Sequence, residues 1–331
     1  MVAISKGNGV VNMQKSLLVV SVVLFIIKIT AWYLTGSVAI LTDALESTVN
    51  VVAGIIGLYS IVLSAKPKDQ EHPYGHGKVE FLSSALEGLL ISIAGLFIVY
   101  ESLNNLIHPH ALQKLDSGMV LIAITAVVNF IMGHLCIQKG KKEASPILLA
   151  SGQHLKSDTY STLGILLGVF LIYMTDYQWL DSVAALIMAF VIIYTGYKII
   201  RRSISGIMDE SDTAIINEIV LVLNEHRRSD WIDVHNMRVI NYAGFYHIDC
   251  HLTVPYYINV NEAHALLDAL TDMLRLHFKD SVEFFIHIDG CVSKQCNLCS
   301  VQNCSVRKQP FNESIQWTYS NIVSNSKHGL A

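Results

Sequence analysis

Charge is scarce in this chain. Only 15% of its 331 residues are Asp, Glu, Lys or Arg, where a soluble globular domain carries roughly 25%, and 52% are hydrophobic. That deficit excludes an ordinary soluble domain and points to a membrane protein. A basic excess is missing too: 23 Lys and Arg against 27 Asp and Glu leave a net charge of −4. No face can then neutralise many phosphates, which excludes a nucleic-acid binder. No phosphate-binding loop of the G-x-x-x-x-G-K type occurs, so nucleotide hydrolysis is not the energy source. No H-E-x-x-H pair occurs either, which argues against an intramembrane metalloprotease. Six cysteines are too few for a disulfide framework, and four of them, Cys291, Cys296, Cys299 and Cys304, crowd together near the C-terminus. Cys136 and Cys250 read as small apolar fillers.

What the sequence has is long apolar runs. A helix needs about 20 mostly apolar residues to cross the hydrocarbon core of a bilayer. Six runs qualify: Ser16 to Gly36, Ser37 to Ala65, Val79 to Ile107, Ser117 to Gln138, Ala144 to Thr175 and Trp179 to Ile200. The first lacks a small-residue cleavage site after it and reads as a retained helix. Lys6, Lys15, Lys66, Lys68, Lys78, Lys139, Lys141, Lys142, Arg201 and Arg202 all fall on one side of a six-span arrangement, with little beyond Lys114 opposite. The positive-inside rule then places both termini in the cytoplasm, and the expected location is the cell inner membrane.

After Arg202 continuous hydrophobicity gives way to acids, histidines and alternating apolar residues. Ile215 to His226 and Glu262 to His277 have helical spacing, whereas Val234 to Tyr242, Phe245 to Val254 and Val282 to Ile288 read as strands. The order α-β-β-α-β, with Ala243-Gly244 as a hairpin turn, predicts a small ferredoxin-like α+β domain. The expected organisation is an N-terminal segment over 1–15, a six-helix transmembrane domain over 16–203, a cytoplasmic domain over 204–290, and a flexible cysteine-containing tail over 291–331. Residues after about Gln309 are polar enough to read as disordered.

Ionisable groups within a bilayer cost several kcal/mol unless they face partners or a cavity. The second run carries Asp43, Glu46 and Asn50, and the fifth carries His154, Lys156 and Asp158. Glu46/Asn50 and His154/Asp158 are i, i+4 pairs, each on one helix face. On facing helices they would supply four inward donors, a tetrahedral site for a divalent metal. The plainer alternative is polar glue between helices. Lys28 reads as a snorkelling side chain or a partner for Asp43 or Glu46, since a protonated amine has no lone pair to give a metal. The loop after the second run brings Asp69, His72 and His76 within eight residues on a chain bent by proline and glycine. In the final domain His235, His251, His264, His287 and Asp289 read jointly as a metal site, with His287 and Asp289 on one strand face.

Lys28-Ile29-Thr30-Ala31-Trp32, Thr35 to Leu41, His72-Pro73-Tyr74-Gly75-His76-Gly77-Lys78-Val79-Glu80 and the His154-x-x-x-Asp158 pair together resemble the cation diffusion facilitator family. The likeness is strongest to its bacterial zinc and iron exporter branch and covers roughly residues 16 to 290. The resemblance implies a homodimer that moves divalent cations across the lipid bilayer in exchange for protons, with zinc as substrate and as structural ion. It implies a transport site on Glu46, Asn50, His154 and Asp158, a loop site on Asp69, His72 and His76, and a dimer-interface site on His235, His251, His264, His287 and Asp289. It also implies an interprotomer salt bridge between Lys78 and Asp209. Where the branch has D-x-x-x-D or H-x-x-x-D in the second helix, this chain has Glu46 and Asn50. That donor set admits iron(II), manganese or cobalt beside zinc. The tail spacing C-x4-C-x2-C-x4-C could hold a metal ion or an iron–sulfur cluster. A second reading of the whole chain is a non-transporting partner subunit or a cytoplasmic metal sensor.

Overall fold

Proline marks where the helices stop. Pro67 and Pro73 follow the second helix, and Pro146 opens the fifth at the one position where a missing N–H costs nothing. The computed structural model describes residues 8–35, 38–107, 115–175 and 179–329. Over parts of the helices it describes backbone alone, so the side chains of Asp43 and Glu46 lie outside the described residues. Among the described residues, six helices of 27 to 30 residues come first: α1 (Asn8–Thr35), α2 (Val38–Ser64), α3 (Val79–Ile107), α4 (Leu115–Lys142), α5 (Pro146–Thr175) and α6 (Trp179–Ile207). The stretches Gly9–Thr30 and Val79–Ile107 are long and apolar enough to cross a membrane, with mean hydropathies of 2.1 and 2.0.

The second half of the expected N-terminal segment already belongs to the first helix. α1 already runs at Asn8, because Val10 packs against Ile61, Ile147 and Leu148 and so rewards an earlier start. Small residues let backbones approach closely at two crossings. A Cβ on Gly196 of α6 would stand 2.8 Å from the Gly88 carbonyl of α3, and one on Gly152 of α5 would stand 2.9 Å from the Gly133 carbonyl of α4. The outward faces are apolar, as Leu82, Leu86, Leu89, Ile93 and Leu96 on α3 show.

The chain divides into two compact units, with the boundary between Met208 and Asp209 rather than near 203, since α6 continues for about one further turn, to Ile207. The second unit contains α7 (Thr213–Glu225), β1 (Asp233–Asn241), β2 (Tyr246–Val254), α8 (Val260–Phe278), β3 (Val282–Gly290) and a short α9 (Tyr319–Ile322). Asp212 caps α7 by accepting from the amides of Ala214 and Ile215. Asn259 and Glu262 form a reciprocal capping box on α8. The sheet order is β1-β2-β3, with β1/β2 antiparallel and β2/β3 parallel. At the hairpin Ala243 and Gly244 take φ of 54° and 98°, the left-handed pair that a two-residue turn needs, and the Tyr242 amide donates to the Phe245 carbonyl at 2.7 Å.

β1 carries a bulge. His235 pairs with His251, but the next pair is Arg238 with Asp249, so one extra residue is accommodated at Asn236, whose φ is 53°. Without it strict alternation would follow Val234 with Asn236 and Arg238 on the core face. With it Met237 and Val239 are buried there instead, against Ile216, Ile219 and Leu223 of α7 and Leu270 and Leu274 of α8.

The residues after Gln309 are not the disordered tail their average composition suggests. Trp317 is 1% exposed and Ile322 0%, both in the core of the second unit. The Arg227 guanidinium lies 4.2 Å from the centre of the Trp317 ring and donates to the Ile315 carbonyl. Asn224 brackets the same residue, donating to the Trp317 carbonyl at 2.8 Å and accepting from its amide at 3.2 Å. A few widely spaced anchors outweigh the polar residues between them. Trp317→Ala is therefore expected to destabilise this unit by about 3–5 kcal/mol, the usual cost of removing a buried tryptophan. Denaturant unfolding followed by tryptophan fluorescence checks it, and a change below about 1 kcal/mol means the tail does not carry the core.

Candidate metal sites

The first constellation lies between α2 and α5. Asn50, His154 and Asp158 are all buried. The Asn50 Nδ2 donates to Asp158 Oδ2 at 2.8 Å, and its Oδ1 faces His154 Nε2. His154 Nδ1 stands 3.3 Å from Asp158 Oδ1 and makes no hydrogen bond of its own. An i, i+4 spacing on one helix and one residue from another thus produce a closed triangle of polar groups. Glu46 lies one turn earlier on α2, with its side chain outside the described residues. Sequence reasoning missed a neighbour: Glu87 of α3 is buried and accepts from Ser151 Oγ of α5 at 3.1 Å. Its apolar flanks made it read as one more residue of a membrane span.

The second constellation is the loop joining α2 to α3. Asp69 Oδ1 accepts the His72 amide at 2.6 Å and meets His72 Nδ1 at 3.1 Å, while Asp69 Oδ2 lies 3.5 Å from His76 Nε2. Gly75, with φ of 89°, turns the chain so that both imidazoles face the same carboxylate. The His72 backbone N–H is the main reason that the Asp69 carboxyl is held below its ordinary range. The loop is clamped at its base: Ser64 and Ser145 both donate to the buried Glu80 carboxylate at 2.7 Å. Lys78 immediately precedes α3, and Asp209 follows α6 with φ of 56°.

The third lies on the face of the sheet turned away from α7 and α8. Register aligns one row, His235, His251 and His287, and a second row, Asp233, Thr253 and Asp289, one step along. Asp289 Oδ2 is 3.0 Å from His251 Nδ1 and 3.5 Å from His235 Nε2, and Asp289 Oδ1 is 3.7 Å from His287 Nε2. His264 is not gathered there within one chain: it sits exposed on α8, 3.8 Å from Asp268 one turn on. Burial would raise the Asp289 carboxyl, but the His251 hydrogen bond and the charge of Lys327 hold it below its ordinary value. Burial lowers the His235 imidazole, which keeps a lone pair available.

Sequence reasoning missed what covers this face. Lys327 Nζ lies 3.5 Å from Asp289 Oδ1 and donates to the Gly290 carbonyl at 3.0 Å. The His328 amide donates to Asp233 Oδ2 at 2.9 Å and its Nδ1 meets Asp233 Oδ1 at 2.6 Å. The bulge serves this contact too, because the Asn236 amide turns out of the ladder to the Ser324 carbonyl at 2.7 Å. No local signal connects residues 95 apart.

The Asp233 hydrogen bond raises the His328 pKa above its ordinary value. That contribution to docking is complete below the ordinary imidazole value of about 6.5 and is lost as pH rises through the raised one. Amide exchange over 319–329 is therefore expected to be slower at pH 6 than at pH 9 once corrected for intrinsic rates. His328→Gln should remove the difference, and an unchanged pH dependence in that variant would place the titrating group elsewhere.

The four tail cysteines are all unpaired and line one pocket with Tyr256, Val292 and Arg307. Cys136 and Cys250 are buried and apart from it, and burial pushes the Cys250 thiol up to about 12, as suits an inert core residue.

Comparison with known proteins agrees with this layout. A family model described as the cation efflux transmembrane domain matches residues 15–208, and one described as the cation efflux protein cytoplasmic domain matches residues 212–291. An uncharacterized transporter of Synechocystis is 33% identical over 74% of this chain and 79% of its own length. The manganese efflux system protein MneP of Bacillus subtilis is 26% identical, covering 82% of this chain and 93% of its own. The cation-efflux pump FieF of Pectobacterium atrosepticum is 27% identical, covering 82% and 89%. The chain belongs to the cation diffusion facilitator family, and it is a membrane transporter of metal cations rather than an enzyme.

Proposed function

We propose that the chain is a homodimeric divalent cation/proton antiporter of the inner membrane. It exports zinc from the cytoplasm, with iron(II), manganese and cobalt as further substrates, through six membrane spans per protomer and with both termini cytoplasmic. The observation that carries this reading is the buried Asn50–His154–Asp158 triangle. Two ligand atoms on a tetrahedral ion with bonds of about 2.0 Å stand about 3.3 Å apart. His154 Nδ1 and Asp158 Oδ1 are 3.3 Å apart, so this edge of the site suits a zinc ion without rearrangement. Glu46 and the Asn50 oxygen would complete the set once that oxygen leaves His154 Nε2, which it now faces.

Exchange follows from that edge. A proton on His154 Nδ1 would bond Asp158 in the place the ion takes, so proton and metal compete for one pair of atoms. A difference in proton concentration between the two sides can then decide which of the two occupies it. The oxygen-rich remainder explains why harder cations would enter as well. The relatives named for manganese efflux and cation efflux support a divalent substrate without singling out zinc. We assign Asp69, His72 and His76 to a loop site, and His235, His251, His287 and Asp289 to a structural zinc site of the cytoplasmic domain. His264 of α8, and the Lys78–Asp209 bridge, would act across the dimer.

The test is uptake into proteoliposomes that enclose a pH-sensitive dye, with zinc, iron(II), manganese and cobalt offered singly. Metal movement with opposed proton movement is expected. Metal binding without flux for all four would favour the sensor reading.

A further inference from the structure

The segment that follows β3 is held by contacts that make little sense for a loose loop. Between Cys291 and Cys304 the chain has one short 3₁₀ turn, Ser293–Gln295, and little apolar burial. Yet the Arg307 guanidinium gathers it from one side, donating to the carbonyls of Cys296 at 2.7 Å, Cys299 at 3.0 Å and Val301 at 2.6 Å. The four cysteines and Arg307 line one shared cavity of about 40 Å³. The Lys308 amide points at Cys296 Sγ at 3.5 Å, a donor placed for a sulfur that carries negative charge. Both family models end at or before residue 291, so Cys296, Cys299 and Cys304 lie outside what they describe.

We infer that Cys291, Cys296, Cys299 and Cys304 bind one zinc ion as thiolates, and that this ion pins the C-terminal segment across the histidine face of the sheet. The spacings of two and four residues between successive cysteines are those of tetrahedral thiolate sites. Donors on a zinc ion with Zn–S bonds of about 2.3 Å stand about 3.8 Å apart. Among the described residues no three of these sulfurs lie within 4.8 Å of one another, so loading draws the loop inward.

The connection to the histidine face is direct. The Asn297 carbonyl accepts the amide of Asn312 at 2.8 Å. Gly329, with φ of 86°, lies against Lys294 and Leu298, where a Cβ would stand 3.2 Å from the Lys294 carbonyl. The same loop therefore holds both ends of the strap whose residues Lys327 and His328 reach Asp289 and Asp233.

The experiment uses the full chain purified in detergent and does not depend on transport. Cobalt(II) replaces zinc, because thiolate-to-cobalt charge transfer in the near ultraviolet arises from cysteine ligation alone and is silent for the histidine and carboxylate sites. Wild type is expected to show these bands, and the C296S/C299S variant to lose them together with one equivalent of zinc by elemental analysis. Absence of the bands in wild type overturns the site, as does equal zinc content in the variant or sulfide-bound iron in the purified protein. Should the variant fail to fold, wild type alone still decides. The C296S/C299S variant should also exchange the amides over 319–329 at least tenfold faster than wild type, and unchanged exchange overturns the pinning role.

Discussion

Asp158→Ala is expected to reduce cation flux by a hundredfold or more in proteoliposomes while the protein still inserts and dimerises. The side chain is the one described carboxylate in the buried triangle. It accepts from Asn50 at 2.8 Å and faces His154 Nδ1 at 3.3 Å. Its removal deletes a ligand, and it also frees His154 and Asn50 from the geometry that Asp158 imposes. Loss of a residue that only orients a ligand costs ten- to a hundredfold in metal affinity, so loss of the ligand itself costs at least as much. Folding should survive, because Gly133 and Gly152 continue to seat α5 against α4. The readout is initial zinc flux together with proton counterflow. Both should disappear together, and flux within threefold of wild type would put the transported ion elsewhere. Zinc bound at the proposed sheet and tail sites, whose residues do not include Asp158, serves as an internal control.

How far the sequence carried is clearest at β1. Period-two alternation put His287 and Asp289 on one face, and the register of β2 and β3 extends that row to His251. The step to His235 needs the bulge, and nothing in Val234-His235-Asn236-Met237 announces it beyond an asparagine that tolerates positive φ. Long apolar runs found the six long helices and local periodicity the α-β-β-α-β order, because each depends on neighbours close in the chain. The tail depended on Trp317 reaching Arg227 and Asn224, about 90 residues away, and compositional averaging hid it. Glu80 and Glu87 escaped for a related reason. Each lies alone among apolar residues, and only Ser64 and Ser151 on other helices and Ser145 in the turn before α5 reveal that they are held. His264 shows the converse: it belonged to the implied set, yet helix α8 presents it to Asp268.

Asn50→Asp is expected to lower the zinc concentration that half-saturates flux by about tenfold and to make transport more sensitive to acid. Asn50 now satisfies both partners at once, its amide donating to Asp158 and its oxygen facing His154. An aspartate cannot donate in its ionised form, so two carboxylates would face one another across 2.8 Å. That pair is stable only with a cation between them, either a proton or a metal. A second charge near a bound ion contributes about 4 kcal/mol of Coulomb attraction per unit charge at 4 Å in an effective dielectric of 20. Carboxylate desolvation and the lost amide bond offset most of it, leaving on the order of tenfold in affinity. The same charge makes the pair a better proton trap, so the gain should vanish as the external medium is acidified. Flux measured against zinc concentration at two pH values tests this, with manganese as the second substrate. An unchanged half-saturation at both would mean that Asn50 merely ties α2 to α5 and never faces the ion.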